Sequence, residues 1–291
     1  MPSKSAGDKS VRDCLQLSSL PRLERQLLLA HVLQRPRVWL IANDDQWVNP
    51  HQYEQFLRLC QRREQGEPIA YLVGQREFMG LQLHVNPSVL IPRPETELLV
   101  THVLEHLAHH ARATVLDLGT GSGTIAIALA KLCPQAVVYA TDISPAALEV
   151  ARRNAVEHEV QVHFLQGSWF EALGGLAGAP RFDVIVSNPP YIAQHDEHLQ
   201  QGDLRFEPDI ALTDQADGLS AYRTILGQAQ TYLNPGGLVC VEHGFDQAQP
   251  VCRLFAQADF NDVKTLQDLA QLPRVTAGTY NIRQHPSRFT I

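Results

Sequence analysis

No stretch of this 291-residue chain approaches the ~20 consecutive apolar residues of a membrane-spanning helix, and the polar start Met1-Pro2-Ser3-Lys4-Ser5 lacks the apolar core of a secretory signal. A cytoplasmic location and no membrane partner are the expectation. Paired cysteines are missing too. Cys14, Cys60, Cys133, Cys240 and Cys252 are odd in number, scattered and without a C-x-x-C unit, so they read as buried, reduced thiols. Positive charge is in deficit: 24 Lys and Arg against 31 Asp and Glu give a formal net charge of -7 and a pI near 6.0. That argues against a protein whose main affinity comes from neutralising phosphates, and no stable nucleic-acid binding is expected. What remains is 44% hydrophobic and 19% charged, an ordinary globular composition in a chain long enough for two domains, each with its own core.

Residues 1–10 are polar, without periodic apolar positions, and read as a disordered extension. Residues 11–72 read as a small helical unit: Leu23, Leu27, Ala30 and Val32 mark one amphipathic segment, and Tyr53, Phe56, Leu57 and Cys60 recur at helical spacing in another. The second carries its own ends, with Asn49 as cap, Pro50 in the first turn and Gly66 as a left-handed stop. No catalytic cluster lies here, which leaves a packing accessory or a docking surface. Residues 73–92 form a linker in which Leu81, Leu83 and Val85 alternate after a Met79-Gly80 turn, the pattern of a β-hairpin. Pro92-Arg93-Pro94 then breaks the chain before a helix over Glu95 to His109, where Glu95 and Glu97 suit a first-turn dipole or the edge of a site.

Residues 93–291 read as one domain of the α/β class. Beyond residue 111 strand and helix alternate throughout, which implies a parallel sheet. Strands are expected near 114–118, 137–142, 161–165, 182–187, 237–243, 262–267 and 278–283, and helices near 123–132, 145–158, 218–233 and 246–258. Gly236-Gly237 after Asn234-Pro235 marks a turn before the fifth strand. Right-handed crossovers would bring the loops that follow the strands to one edge of the sheet.

Chemistry gathers in those loops. After the run Thr114-Val115-Leu116-Asp117-Leu118 comes Gly119-Thr120-Gly121-Ser122-Gly123 and then a helix: strand, glycine loop, helix. The third glycine falls at 123 and position 124 is Thr, so the G-x-G-x-x-G spacing of a pyrophosphate site is absent. Asp117 beside the loop also favours an amino-bearing ligand over a phosphate. The second strand ends in Asp142, where a carboxylate can accept both hydroxyls of a ribose. Trp169 follows the third strand, as an adenine platform or a core residue. The fourth is followed by Asn188-Pro189-Pro190-Tyr191. Asn188 Oδ1 and the Pro189 carbonyl can accept in the plane of an amino or amide group, the prolines hold those acceptors rigidly, and Tyr191 can be a flat wall. Together these features point to a nucleoside-bearing methyl donor.

The series Asp117-Leu118-Gly119-Thr120-Gly121-Ser122-Gly123, Asp142, Gly167-Ser168-Trp169-Phe170 and Asn188-Pro189-Pro190-Tyr191 resembles the class I S-adenosylmethionine-dependent methyltransferases. More closely, the chain resembles the peptide chain release factor glutamine methyltransferases, the HemK family, over roughly Val11 to Arg283. Gly66 to Gly74, Arg76-Glu77-Phe78, Leu90 to Glu97 and Glu207-Pro208 are in the manner of that family. The sister enzymes acting on a ribosomal protein glutamine have Pro-Arg-Ser-Pro where this chain has Pro92-Arg93-Pro94-Glu95. The resemblance implies a Rossmann-like, seven-stranded class I methyltransferase domain with a small N-terminal helical domain joined by a β-hairpin. It implies S-adenosyl-L-methionine as methyl donor, S-adenosyl-L-homocysteine as product, and no metal. The acceptor would be the glutamine of the Gly-Gly-Gln loop of bacterial-type release factors, with the helical domain as docking surface and a monomer expected. Asp117, Gly119, Thr120, Gly121, Ser122, Gly123, Asp142, Ile143, Trp169 and Asn188 would hold the donor. Asn188, Pro189, Pro190 and Tyr191 would hold the acceptor, with Asn188, Pro189 and Tyr191 catalytic. An acceptor in a ribosomal protein, an exocyclic amine of DNA, and a non-catalytic donor-binding scaffold stand as alternatives. One departure falls after Asp268-Leu269-Ala270, where Gln271-Leu272-Pro273 replaces the more usual glycine.

Two histidine groups take plain readings. His102, His106, His109 and His110 include a zinc-like i, i+4 pair but no further ligand nearby, so a solvated helix face is expected. His195, Asp196, Glu197 and His198 read as a polar lip beside the site.

Overall fold

The computed structural model describes residues 9–281 except 18, 109, 111, 177 and 179. Residues 1–8 of the expected extension, His109 and the end of the strand expected at 278–283 lie outside the described residues. The chain divides into two compact units, one holding everything through Gln75 together with Gln200–Phe206, the other Arg76–Leu199 and everything from Glu207.

The first unit is helical. Lys9 and Ser10, expected in the extension, pair instead with Val48 and Trp47. Ser10 Oγ accepts from Asp13 N at 3.1 Å while Asp13 Oδ2 accepts from Ser10 N at 2.9 Å, a capping box that starts the short helix Val11–Cys14. The helix Pro50–Glu64 has the expected cap, Asn49 Oδ1 accepting from Gln52 N at 2.9 Å, and stops before Gly66 at φ +97°. The helix Arg22–Leu33 buries Leu28, Leu29 and Val32 and exposes Leu23. Apolar residues lie nearly all round this segment, so periodicity alone does not choose its buried stripe; packing around Phe56, Leu59 and Cys60 does. Gln200–Phe206 joins this unit because Arg63 bonds both Glu24 oxygens at 2.9 Å and reaches Asp203 Oδ1 at 3.5 Å, and Arg205 Nη2 donates to Gln65 O at 3.2 Å. Gln200–Phe206 falls within the domain expected over 93–291 but belongs to this unit.

The second unit opens on a hairpin, Gln75–Phe78 with Leu81–His84, turned by Met79 at φ +49° and Gly80 at φ +81°. Its sheet has seven strands: β1 Thr114–Leu118, β2 Val137–Asp142, β3 Val162–Gln166, β4 Phe182–Ser187, β5 Leu233–Glu242, β6 Asn261–Gln267 and β7 Pro273–Thr279. Their order is β6-β7-β5-β4-β1-β2-β3. β1 to β5 run parallel, and β7 is antiparallel to both neighbours. Residues 268–272 are too few for a crossover, and only a hairpin can follow β6. β7 also begins earlier than expected. In its turn Gln271 takes φ +62°, the left-handed geometry that a glycine adopts without strain, held there by Asp268, whose backbone and carboxylate bond Gln271, Ala270 and Leu272. Gly236, at φ +82°, does not precede β5 but lies in an irregularity within it.

Strand residues alternate between two cores. Val115, Val184, Val186 and Cys240 pack against the helices Thr96–Leu107 and Thr124–Leu132; Leu116, Ile185, Val239 and Val241 pack against Ser220–Tyr232 and Ala248–Gln257. With both faces covered, the loops after β1, β2, β3 and β4 leave from one edge, beside the β1/β4 reversal where ligands of such sheets bind. Four of the five cysteines are buried and all are free; Cys252 is half-buried. His102 is buried beside Glu105, contrary to the solvated face expected, and burial lowers its pKa. No helix among the described residues is long and apolar enough to cross a membrane.

Candidate active site

The glycine loop is shaped by backbone geometry that side chains resist. Gly119, Gly121 and Gly123 take φ of +73°, +56° and +83°. A Cβ on Gly123 would stand 2.7 Å from Ile127 Cδ1 and 3.1 Å from Ala151 Cβ, whereas at Gly121 it would meet nothing within 4 Å. The first glycine-loop need is therefore close helix packing, the second open space. Thr141 O accepts from both Gly119 N and Thr120 N at 2.9 Å, and Asp142 Oδ2 accepts from Gly121 N at 2.8 Å. Asp142 Oδ1 accepts from Ser144 N at 2.8 Å, which leaves each carboxylate oxygen a further lone pair. Asn154, fully buried, donates to Ser122 O at 2.9 Å and to His84 O at 3.0 Å and accepts from His84 N at 2.7 Å, tying the loop to the hairpin.

Asp117 lies beneath this loop. Its Oδ2 accepts from Thr120 Oγ1 at 2.6 Å and from Ala126 N at 3.2 Å, while its buried Oδ1 has no hydrogen-bond partner. Burial pushes its pKa up to about 7 against the pull of those two bonds, with Asp142 adding to the rise. Asp142 is raised as well, by burial. A carboxyl whose folded pKa exceeds its unfolded value contributes stability that is present at low pH and lost as pH rises through the folded value, so ionised Asp117 is a cost to folding above about pH 7. Such a cost is characteristic of functional sites.

The loops enclose a cavity of about 400 Å³. Of the residues expected at the site, Gly119, Thr120, Gly121, Ser122, Asp142, Ile143, Trp169, Asn188 and Pro190 line it; Asp117, Gly123, Pro189 and Tyr191 do not. Trp169 lines the cavity and also packs against the core around Leu116 and Tyr222. Pro189 is buried, and Tyr191 packs into the core around Tyr222 with its phenol pKa pushed up by burial, which keeps the ring neutral. The backbone after Asn188 is buttressed. Gln247 Nε2 donates to Tyr191 O at 2.9 Å, Ile192 N to Leu212 O at 2.9 Å, and a Cβ on Gly218 would fall 2.5 Å from Tyr191 O. Asn188 Nδ2 donates to Thr96 Oγ1 at 3.3 Å.

Three stretches of the lining do not follow from the strand ends: residues 88–96, before the sheet begins, Ile210 to Gln215, and the first turns of the helix Ser220–Tyr232. From the first, Arg93 and Thr96 line the cavity while Glu95 and Glu97 do not, which leaves Glu97 its first-turn reading; Glu97 Oε1 accepts from Met79 N at 3.3 Å. Arg93 is ion-paired with Glu207, a buried carboxylate that also accepts from Ile91 N at 3.0 Å. Leu90 to Glu97 and Glu207-Pro208 both carry the family resemblance, but nothing local in the sequence links Arg93 to Glu207. The polar residues His195 and His198 are exposed, Asp196 Oδ1 meeting His198 Nδ1 at 2.6 Å. Among the described residues no group of three or more His, Cys, Asp or Glu is placed to hold a metal ion.

A seven-stranded sheet in this order, with a glycine loop and a strand-end carboxylate opening on one cavity, defines a class I methyltransferase. The Methyltransferase small domain model matches residues 94–204 and the PrmC N-terminal domain model residues 9–74. A release factor glutamine methyltransferase of Bordetella pertussis is 51% identical over 92% of this chain and 98% of its own length, and one of Escherichia coli is 43% identical over 91% and 95%. A methyltransferase structure from Pyrococcus furiosus, 20% identical, shares the fold over 76% of this chain and 98% of its own, with a TM-score of 0.52. The chain belongs to the release factor glutamine methyltransferase family.

Proposed function

We propose that this protein transfers the methyl group of S-adenosyl-L-methionine to the side-chain N5 of the glutamine in the Gly-Gly-Gln motif of bacterial-type peptide chain release factors, in the cytoplasm. The observation that carries the reading is the shared cavity: Gly121, Asp142 and Asn188 open on the same space. The residues fit the donor. Asp142 keeps acceptor capacity for ribose hydroxyls, Gly121 leaves room for close approach to its backbone, Trp169 offers a flat surface, and the unpartnered Asp117 Oδ1 adds negative potential below a cationic ligand. Bound there, the donor supplies a methyl group already activated on a sulfonium.

The chain's own task is then the nucleophile. An amide nitrogen delocalises its lone pair, so it needs orientation more than proton abstraction. Asn188 Oδ1 and the Pro189 carbonyl accept from the two N–H groups in the amide plane and leave the π lone pair facing the methyl; such alignment can supply as much as ~7–11 kcal/mol. As charge develops on the nitrogen the same acceptors stabilise it. Tyr191, neutral and packed, backs the turn that holds them. The buttress behind the turn gives a remote test: Gly218→Ala, which presses on Tyr191 O, is expected to lower kcat by roughly 10- to 100-fold with donor affinity little changed. Unchanged turnover, measured with purified variant, would mean that the turn's position is immaterial.

The functional test is transfer of labelled methyl from S-adenosylmethionine to purified release factor, ribosomal proteins and DNA offered in parallel. Label on the release factor is expected. Label on DNA or a ribosomal protein alone would replace this reading.

A further inference from the structure

Glu242, the last residue of β5, is a buried carboxyl group with no part in the chemistry above. Its Oε2 has no hydrogen-bond partner, and its backbone is fixed by Tyr222, whose hydroxyl donates to Glu242 O at 2.9 Å. Strand register sets it beside Asn188, the residue proposed to grip the acceptor, because Ser187 pairs with Val241, and Thr96 is bonded to Asn188 in turn; both side chains pull the Glu242 pKa down.

We propose that Glu242 is a positioning residue that sets, through the Thr96 hydroxyl, which way the Asn188 carboxamide faces. The proposal rests on the functional reading above. A carboxamide has a donor end and an acceptor end of nearly equal shape, and only its hydrogen-bond partners decide between the two orientations. A threonine hydroxyl does not decide, because it can donate or accept. An ionised carboxylate does, since it can only accept. With Glu242 ionised, Thr96 donates to it and presents a lone pair to Asn188 Nδ2, the bond seen at 3.3 Å. Oδ1 is then the end left for the substrate. With Glu242 protonated, the direction can reverse: the carboxyl donates to Thr96, the hydroxyl is free to donate to Oδ1, and the clamp would offer the substrate N–H groups where it needs an acceptor.

The surroundings place this switch in an accessible range. Burial raises the Glu242 pKa to about 7, helped by Glu95, and Thr96, Arg274 and Asn188 oppose the rise; the phenols of Tyr191 and Tyr222, which feel its charge, stay neutral, and burial lowers the pKa of the adjacent His243. The ionised, correctly ordered form is therefore present above about pH 7 and lost below it.

The test compares kcat against pH for wild type and Glu242→Gln at saturating donor and release factor. Glutamine keeps the shape but can point either end at Thr96. Wild type is expected to exceed the variant by roughly 10- to 100-fold near pH 8 and by little near pH 5.5, with donor affinity by calorimetry equal in the two. Asp117, also raised, is common to both proteins and cancels in the ratio. A ratio independent of pH, or equal turnover at pH 8, would overturn the proposal. A second measurement needs no turnover: denaturant unfolding of Thr96→Val, Glu242→Gln and the double variant is expected to show strongly non-additive midpoints, and additivity would overturn the network. Absence of methyl transfer by the wild-type protein would count against the functional reading, and the unfolding cycle would still decide this one.

Discussion

Asn188→Ala is expected to lower kcat by about 10³-fold, about 4 kcal/mol of transition-state stabilisation, while donor affinity changes by less than about fivefold. Asn188 is a lining residue of the cavity, but in the proposed donor site the ribose and adenine are assigned to Asp142 and Trp169, which line it too. What the variant loses is an in-plane acceptor that holds a weak nucleophile and meets its growing positive charge. Such an interaction strengthens as the reaction proceeds, so its loss falls on kcat. Steady-state kinetics with release factor, beside calorimetric donor binding, separates the two quantities. Equal fractional losses in both would make Asn188 a donor-binding residue and leave the acceptor without its grip.

The opposite division is expected at Asp142. This carboxylate both anchors the glycine loop through Gly121 N and faces the cavity. Asp142→Ala removes the proposed ribose acceptor and the bond to Gly121 N, and donor affinity is expected to weaken by roughly 100-fold, about the worth of one or two charge-assisted hydrogen bonds. At saturating donor, kcat should stay within about fivefold of wild type, since the acceptor side is untouched. The pair of variants therefore forms a crossed test: one side of the cavity governs binding of the donor, the other its reaction. A collapse of kcat at saturating donor in Asp142→Ala would show that the two sides are not separable.

Much of this site was legible because its key parts are local. Gly119, Gly121 and Gly123 sit in left-handed backbone that favours glycine, and strand-end positions can be read from apolar runs on either side. Asp142 and Asn188 follow from the same rule, that successive parallel strands deliver their loops to one edge. What stayed hidden depends on distance in sequence. Thr96 meets Asn188 across 92 residues and Arg93 meets Glu207 across 114, and no periodicity carries such information. Glu242 falls within the strand expected at 237–243, and its burial beside Asn188 comes from the pairing of β5 with β4. The hairpin direction of β7 follows from the short 268–272 link, which is too brief for a crossover helix. In the helical unit, Leu23 was misplaced because its segment is apolar on nearly every side.

The account stands most directly on where the methyl group arrives. Incubating purified protein with release factor and donor bearing a deuterated methyl, then mapping the release factor peptides by fragmentation mass spectrometry, should place the label on the side-chain nitrogen of the Gly-Gly-Gln glutamine and nowhere else in the protein. Label on a different residue, or on an oxygen or backbone nitrogen, would contradict the account.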